Sequence, residues 1–487
     1  MTHFSVLASS PAQAIESRRT MNATTLTVLV YVLASLAIGA WIGRRVRSED
    51  DYLVAGRTLG YGLGTFTIFA TWFGAESCIG SAGSIYAEGL AGGTADPFGY
   101  GLCVLLMGLV FAVPLWRLRL TTLGDLFRRR FSPGVEQLAV MLMIPTSVLW
   151  AAAQVRAFAQ VLAVSSGWTV EVTLTLAAAV VIVYTMMGGL LADAWTDLVQ
   201  GIALLTGLGV LAAAVLARPE AGAALAALEP GRLSLAGPPG TSPWTVLEAW
   251  AIPVCGSVLA AELVARVIAC RSPAVARRSA LAAGSVYLVV GLVPVTLGLV
   301  GPALLPDLDH PEQLLPRLAQ TLLPAPLFAL FAGALVSAIL STVDSALLAA
   351  GSLFSHNLLV RWLGGDVDDR RRLRLARASV VLFGLAAYGL AWHAEGVYAL
   401  VEEASAFASA GIFVVVVAGL ARVRGGPPAA YAALGAGTAA WVLGAYVLAW
   451  EHPYLISLAA AGGGYGVLAL AGFGNAASVG SDRETIH

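Results

Sequence analysis

Thirteen separate apolar runs, each long enough to cross about 30 Å of hydrocarbon at about 1.5 Å of helix rise per residue, leave this chain little choice but a bundle of membrane-spanning helices. They cover residues 22–44, 63–87, 98–118, 134–164, 169–189, 192–217, 245–270, 275–304, 326–358, 373–394, 396–421, 428–449 and 454–473. Only 12% of residues are charged, about half the share in soluble domains, and mean hydropathy is +0.81. A water-soluble fold could not bury that much apolar surface. The expected class is an all-α polytopic membrane protein with the lipid bilayer as its first partner. A net charge of −1 offers no global field for nucleic acid. Cys78, Cys103, Cys255 and Cys270 lie in apolar runs without metal-ligand spacing, so neither a disulfide framework nor a zinc site is indicated.

All 28 basic residues are arginine, which reads as GC-rich, bacterial coding. They cluster in alternate connections: Arg44 to Arg57, Arg117 to Arg130, Arg271 to Arg278, Arg361 to Arg377, and Arg422 with Arg424. The positive-inside rule puts these in the cytoplasm. That arrangement makes a multi-pass protein of the bacterial cytoplasmic (inner) membrane, N-terminus outside and C-terminus cytoplasmic. The first run lacks a small-residue cleavage site and precedes its basic cluster, so it reads as an uncleaved span. Residues 1–21 are then an extracytoplasmic tail and 474–487 a cytoplasmic one.

Two spans look broken. The run 63–87 carries Gly74, Gly80 and Gly83 around Glu76, and 245–270 carries Pro253 and Gly256 before Glu262. Such breaks persist in a membrane where the freed backbone lines a cavity or meets a ligand. They fall in the second and seventh spans, the offset expected of two inverted five-helix repeats, 63–217 and 245–421. One extra helix (22–44) precedes this core and two (428–473) follow it. Within the ninth span, Ser337, Ser341, Thr342, Asp344 and Ser345 interrupt an otherwise apolar helix, which points to a desolvated cation. Ser341 and Thr342 follow Ala338 by three and four residues, so one turn presents a carbonyl and two hydroxyls to the same side. Hard cations take such oxygens.

Three stretches together resemble the sodium/solute symporter family: Asp51-Tyr52-Leu53-Val54-Ala55-Gly56-Arg57; Gly188-Gly189 followed by Trp195-Thr196-Asp197-Leu198-Val199-Gln200; and Ser341-Thr342-Val343-Asp344-Ser345. The resemblance implies a LeuT-type core of 5+5 inverted repeats within 13 transmembrane helices. It also implies a main sodium site from the carbonyls of Ala70, Phe73 and Ala338 and the hydroxyls of Ser341 and Thr342. A second sodium, where the family holds one, falls on Asp197, Ser341, Asp344 and Ser345; alternatively, Asp197 anchors a turn by accepting backbone hydrogen bonds. Sodium is the implied coupling ion, with no organic cofactor.

For substrate, Trp72, Tyr100 and Trp150 match aromatic positions of the choline transporter branch, while Ala260 stands where a fourth aromatic is expected. Arg156 either grips a substrate carboxylate or neutralises Glu76 or Glu262, and the pairing is the favoured reading. Glu76 and Glu262 are also grouped with the candidate substrate residues, as is Glu402, which matches the position of a substrate-holding amide in the family's sugar carrier. Asp96 and Glu403 read as facing water, and Asp125, Asp366, Asp368 and Asp369 as solvated surface.

The expected activity is sodium-coupled secondary active symport of a small organic solute (a quaternary amine, amino acid or carboxylate) by alternating access. At about 100 mV and a tenfold sodium gradient, one ion supplies roughly 3.7 kcal/mol, enough for roughly 500-fold accumulation of a neutral solute. No nucleophile and base pair, phosphate loop or metal cluster suggests an enzyme. The alternative is a membrane-embedded solute sensor acting through a separate partner. Oligomeric state is left open.

Overall fold

Three helix starts are spelled by Ser-Pro pairs. Ser132, Ser242 and Ser272 each turn their hydroxyl onto a free N–H of the first turn (Val135 at 3.2 Å, Trp244 at 3.3 Å, Val275 at 3.2 Å), and the proline that follows needs no N–H there. The computed structural model describes residues 46–364, 367–394 and 397–471 together with part of 30–44. The expected span 22–44 lies largely outside the described residues, and both expected tails lie wholly outside them.

A short helix α1 (Glu49–Val54), closed by a Ser48–Asp51 capping box, leads into α2 (Tyr61–Trp72) and α3 (Ser81–Glu88). There follow α4 (100–117), α5 (Gly124–Arg130), α6 (Pro133–Ser166) and α7 (Val170–Leu216). The second half contains α8 (Pro243–Ala251), α9 (Ala261–Ala269), α10 (Pro273–Leu304), α11 (Ala325–Ser352) and α12 (Asp369–His393). It ends with α13 (Val397–Ala406), α14 (Ser409–Leu420), α15 (Pro427–Val442) and α16 (Pro453–Leu470). Short connecting helices lie between some of these, and no strand occurs among the described residues.

Both expected breaks are present. α2 stops at Phe73, whose ψ of 73° is not helical, and helix resumes at Glu76. α8 and α9 are bent by 44° across Ser257–Ala260. A third break was not expected: the run 396–421 divides into α13 and α14, bent by 40° at Ala408, whose φ is +56°. The expected spans 169–189 and 192–217 are the two halves of α7, parted at Gly189 (φ 62°, ψ −179°). A Cβ on Gly189 would stand 2.4 Å from the Tyr52 ring, so glycine is required there for approach as well as for φ.

Among the described residues, eight helices are long and apolar enough to cross a membrane, or ten with the two bent pairs counted. Thirteen were expected. The shortfall comes from the undescribed first span, from the split of 63–87, and from the 17-residue piece Val170–Met186, too short by itself. The outward faces carry exposed Leu109, Val172, Ile202, Val289, Leu385 and Val467, as lipid contact requires. By contrast α11 is buried on every side from Phe331 to Ser352, which makes it the central helix, packed against α6 and α7.

The ends of the two broken spans are tied together. Leu59 N donates to Ala269 O (3.2 Å) and Arg271 N to Leu59 O (2.9 Å), while Arg57 donates to Ile268 O and Leu120 O (3.1 and 2.8 Å). Nearby, Asp125 is buried rather than solvated as the sequence suggested. His356 bridges Glu49 (3.0 Å) and Asp125 (3.4 Å), Arg372 reaches Glu49 (3.2 Å), and Arg361 reaches Glu136 (2.7 Å). Burial opposes ionisation of Glu49 and Asp125, but the hydrogen bonds and charge of His356, with Arg372 for Glu49 and two backbone N–H groups for Asp125, outweigh it and hold both carboxyls below their ordinary values of 4.5 and 3.8. A depressed carboxyl stabilises the fold above its ordinary value, and that contribution is lost as pH falls through the folded one. Melting temperature should therefore drop on acidification below about pH 4.5; Glu49→Gln should flatten that drop, and an unchanged profile in the variant would contradict the assignment.

Candidate ion and substrate site

The break in α2 frees backbone for other uses. In an unbroken helix the N–H of Gly74 would serve Ala70 O and that of Ala75 would serve Thr71 O. Instead Gly74 N donates to Glu76 Oε1 (3.3 Å) and Ala75 N to Gln154 Oε1 (3.0 Å). The Ala70 carbonyl thus turns toward α11, where Thr342 Oγ1 lies 3.5 Å away and also donates to Ala338 O at 3.2 Å. Two carbonyls and a hydroxyl from the expected main sodium site meet here. Ser341, the next residue back, donates its hydroxyl to Asp197 Oδ1 (2.5 Å), which leaves its lone pairs available. Phe73 is buried at the break.

The residues expected at a second sodium gather around Asp193, which is within hydrogen-bond reach of Ser345 and of the Asp197 and Asp344 carboxyls. Asp197 accepts from Ser341 and from Thr67 Oγ1 (2.5 Å), two side chains rather than the backbone donors of a turn anchor. Ser345 lies against Thr71 Oγ1 (3.3 Å) and Asp193 Oδ2 (3.3 Å) and receives the guanidinium of Arg266, which also ion-pairs with Asp193. Asp344 lines a small cavity with Asp193, Tyr184 and Gly188. Arg266 is 1% exposed, so a full positive charge is embedded where the sequence suggested only carboxylates and hydroxyls.

On the other side of the α2 break, Trp72, Tyr100 and Trp150 gather as the sequence expected. Ring centroids are 5.4 Å apart for Trp72–Trp150 and 5.8 Å for Tyr100–Trp150. A cation binds within about 6 Å of a ring face, and two rings in contact leave no room between them. Only Trp150 of the three faces the adjoining cavity, which also exposes Ser147, Ser257, Ala260, Glu262 and Ser405. Ala260 indeed lies on that wall, and Tyr100 closes its back by bonding Ser405 Oγ at 2.8 Å. Glu262 is the one charged residue on the wall, and its Oε1, like Ser147 Oγ, has no hydrogen-bond partner among the described residues.

Several expected roles are corrected. Arg156 pairs with neither Glu76 nor Glu262; it donates to Ala391 O (3.1 Å) at the end of α12. Gln154 does what Arg156 was expected to do, donating to Glu76 Oε2 at 2.6 Å. Residues two apart on a helix point about 200° apart, so both cannot face α2. Glu402 is exposed and off the cavity wall, which its neighbours Ala404 and Ser405 supply. Asp96 is buried, not wet, and accepts from Ser77 Oγ (2.8 Å) and Tyr287 (2.9 Å). Glu403, half-buried, accepts from Tyr446 and Trp441. The buried pair of Arg266 and Asp193 was not among the expected site residues.

The model of the sodium:solute symporter family matches residues 52–441. The chain belongs to that family. The high-affinity choline transporter 1 of Drosophila melanogaster is 26% identical over 397 residues, covering 78% of this chain and 63% of the fly protein. The human high-affinity choline transporter 1 is 25% identical over 397 residues, covering 77% of this chain and 68% of its own length. A solved structure of a Na+-coupled sialic acid symporter, substrate-bound and outward-open, superposes with a TM-score of 0.80 at 16% identity, covering 92% of this chain and 97% of that one. The shared fold is thus that of LeuT-fold sodium symporters.

Proposed function

We propose that this family member is a secondary active symporter that uses one sodium ion to drive uptake of a small organic cation by alternating access. The observation that carries the reading is the meeting of Ala70 O, Ala338 O and Thr342 Oγ1 at the α2 break, beside a cavity whose aromatic face is Trp150 and whose only charge is Glu262. With Phe73 O and Ser341 Oγ these oxygens form the main sodium site. A carboxylate and a tryptophan without an arginine or lysine suit a cation better than an amino-acid or monocarboxylate anion. The choline transporters among the relatives agree with that preference. In the second cluster, Arg266 pairs with Asp193 and reaches Ser345, and Asp197, Asp344 and Ser345 serve as a fixed network around that pair rather than as a transported-ion site.

The same proposal takes the chain as thirteen spans with inverted repeats at 63–217 and 245–421, lying in a bacterial cytoplasmic membrane with its arginine-rich end inside. Loading of the sodium site would draw α2 and α11 together before the substrate cavity closes. The test is a thermal-shift screen of the purified protein against quaternary amines, protonated amines, amino acids and monocarboxylates, with and without sodium, followed by uptake of the best ligand in proteoliposomes. Only cations should raise the melting temperature, and more so with sodium; stabilisation by carboxylates alone would contradict the reading. Glu262→Gln should raise the KM for the cation about tenfold and leave the half-saturating sodium concentration unchanged. An unaltered KM would remove Glu262 from the site.

A further inference from the structure

Glu76 was grouped with the substrate residues by sequence, yet it does not line the cavity that holds Trp150 and Glu262. Its carboxylate turns back toward the break in α2. A Cβ built on Gly74 would stand 2.6 Å from Thr342 Oγ1 and 2.7 and 2.9 Å from the two oxygens of Glu76. The Thr342 hydroxyl and the nearer carboxylate oxygen therefore lie within the sum of those distances, about 5.3 Å, of each other. Two oxygens sharing a cation of about calcium's size, each at about 2.3–2.6 Å, are up to about 5 Å apart. That upper bound is close to the widest separation one such ion can bridge.

Charge leads to the same place. Glu76 is fully buried, and among the described residues no arginine or histidine comes within ion-pair distance of it. Its partners are the neutral Gln154 amide at 2.6 Å and the Gly74 N–H at 3.3 Å, which orient the carboxylate without cancelling its charge. An ionised carboxylate inside a membrane bundle is costly unless a cation answers it. The five oxygens of the proposed main site are all neutral, and the Asp197 carboxylate reaches the ion only through the Ser341 hydroxyl. We infer that Glu76 is the anionic member of the sodium site, its carboxylate facing the ion from the broken end of α2, with Gln154 as the residue that positions it. This inference rests on the main sodium site proposed above and adds to it a ligand of a different chemical kind.

Equilibrium binding of radioactive sodium to the purified full-length protein, without substrate, tests it. Wild type should bind saturably. Glu76→Gln keeps the shape and removes the charge; its sodium affinity should fall at least tenfold, while substrate affinity at saturating sodium stays within about twofold. Gly74→Ala, which drives a methyl between Thr342 Oγ1 and Glu76, should abolish measurable sodium binding. Should the glutamine variant fail to fold, Glu76→Asp carries the test: it retains the charge but withdraws it by one methylene, and sodium should bind several-fold more weakly. Sodium affinity within twofold of wild type in the folded glutamine or aspartate variant would overturn the inference, as would a loss confined to substrate affinity. Absence of saturable sodium binding by wild type would instead sink the sodium site itself, so the two failures are distinguishable.

Discussion

Arg266→Met is expected to lower the stability of the folded bundle by about 3–5 kcal/mol, because it strands a buried carboxylate. The guanidinium sits among Asp193, Ser345 and the Glu262 backbone carbonyl, at 1% exposure. Methionine fills similar volume but leaves Asp193 with a charge that neither water nor a cation answers. Replacing both partners removes that penalty, so Arg266→Met combined with Asp193→Leu should recover most of the loss. Denaturation midpoints of the purified proteins in one detergent give the comparison. A single variant as stable as wild type would show that the pair holds nothing together.

The second large effect belongs to Thr342. Its hydroxyl lies between two carbonyls, Ala70 O and Ala338 O, that come from different helices. Thr342→Ala removes an oxygen from the ion without removing a charge or a cap, so folding should be little affected. A contact between a hydroxyl and a charged group is worth about 1.5–3 kcal/mol, which converts to a rise of roughly 10- to 150-fold in half-saturating sodium. Ser341→Ala should also weaken sodium, and in addition remove one of the two hydroxyls that Asp197 accepts from, leaving that of Thr67. Initial rates of uptake across a sodium titration read both effects. Unchanged sodium dependence in both variants would sink the assignment of the site to α11.

Which parts of this arrangement the sequence revealed follows from what each part depends on. The breaks in α2 and between α8 and α9 were visible because glycine or proline marks them. The break at Ala408 carries neither at the bend; it lies in a mostly small, apolar run, Ala406-Phe407-Ala408-Ser409-Ala410, that reads as good helix. The hydroxyl pair in α11 was visible because polar groups are conspicuous in an apolar run. Which polar groups they meet was not: Asp193 and Arg266 are 73 residues apart in sequence, and only the packing of α7 and α9 against α11 joins them. Arg156 shows the opposite error. Charge made it conspicuous, but helix rotation gave the contact with Glu76 to its neutral neighbour Gln154. The three aromatics lie together, but packing turns only Trp150 to the cavity while Trp72 and Tyr100 lie behind it.

The central claim is that the break in α2 and the hydroxyls of α11 hold the ion that drives cation uptake. Its most direct test is initial-rate uptake of a radiolabelled choline-type cation into proteoliposomes under an inward sodium gradient, for wild type and Thr342→Ala side by side. Uptake by wild type should require sodium and collapse when potassium replaces it, and the variant should need at least tenfold more sodium for half-maximal rate. Equal uptake in sodium and potassium, or identical sodium curves for the two proteins, would contradict it.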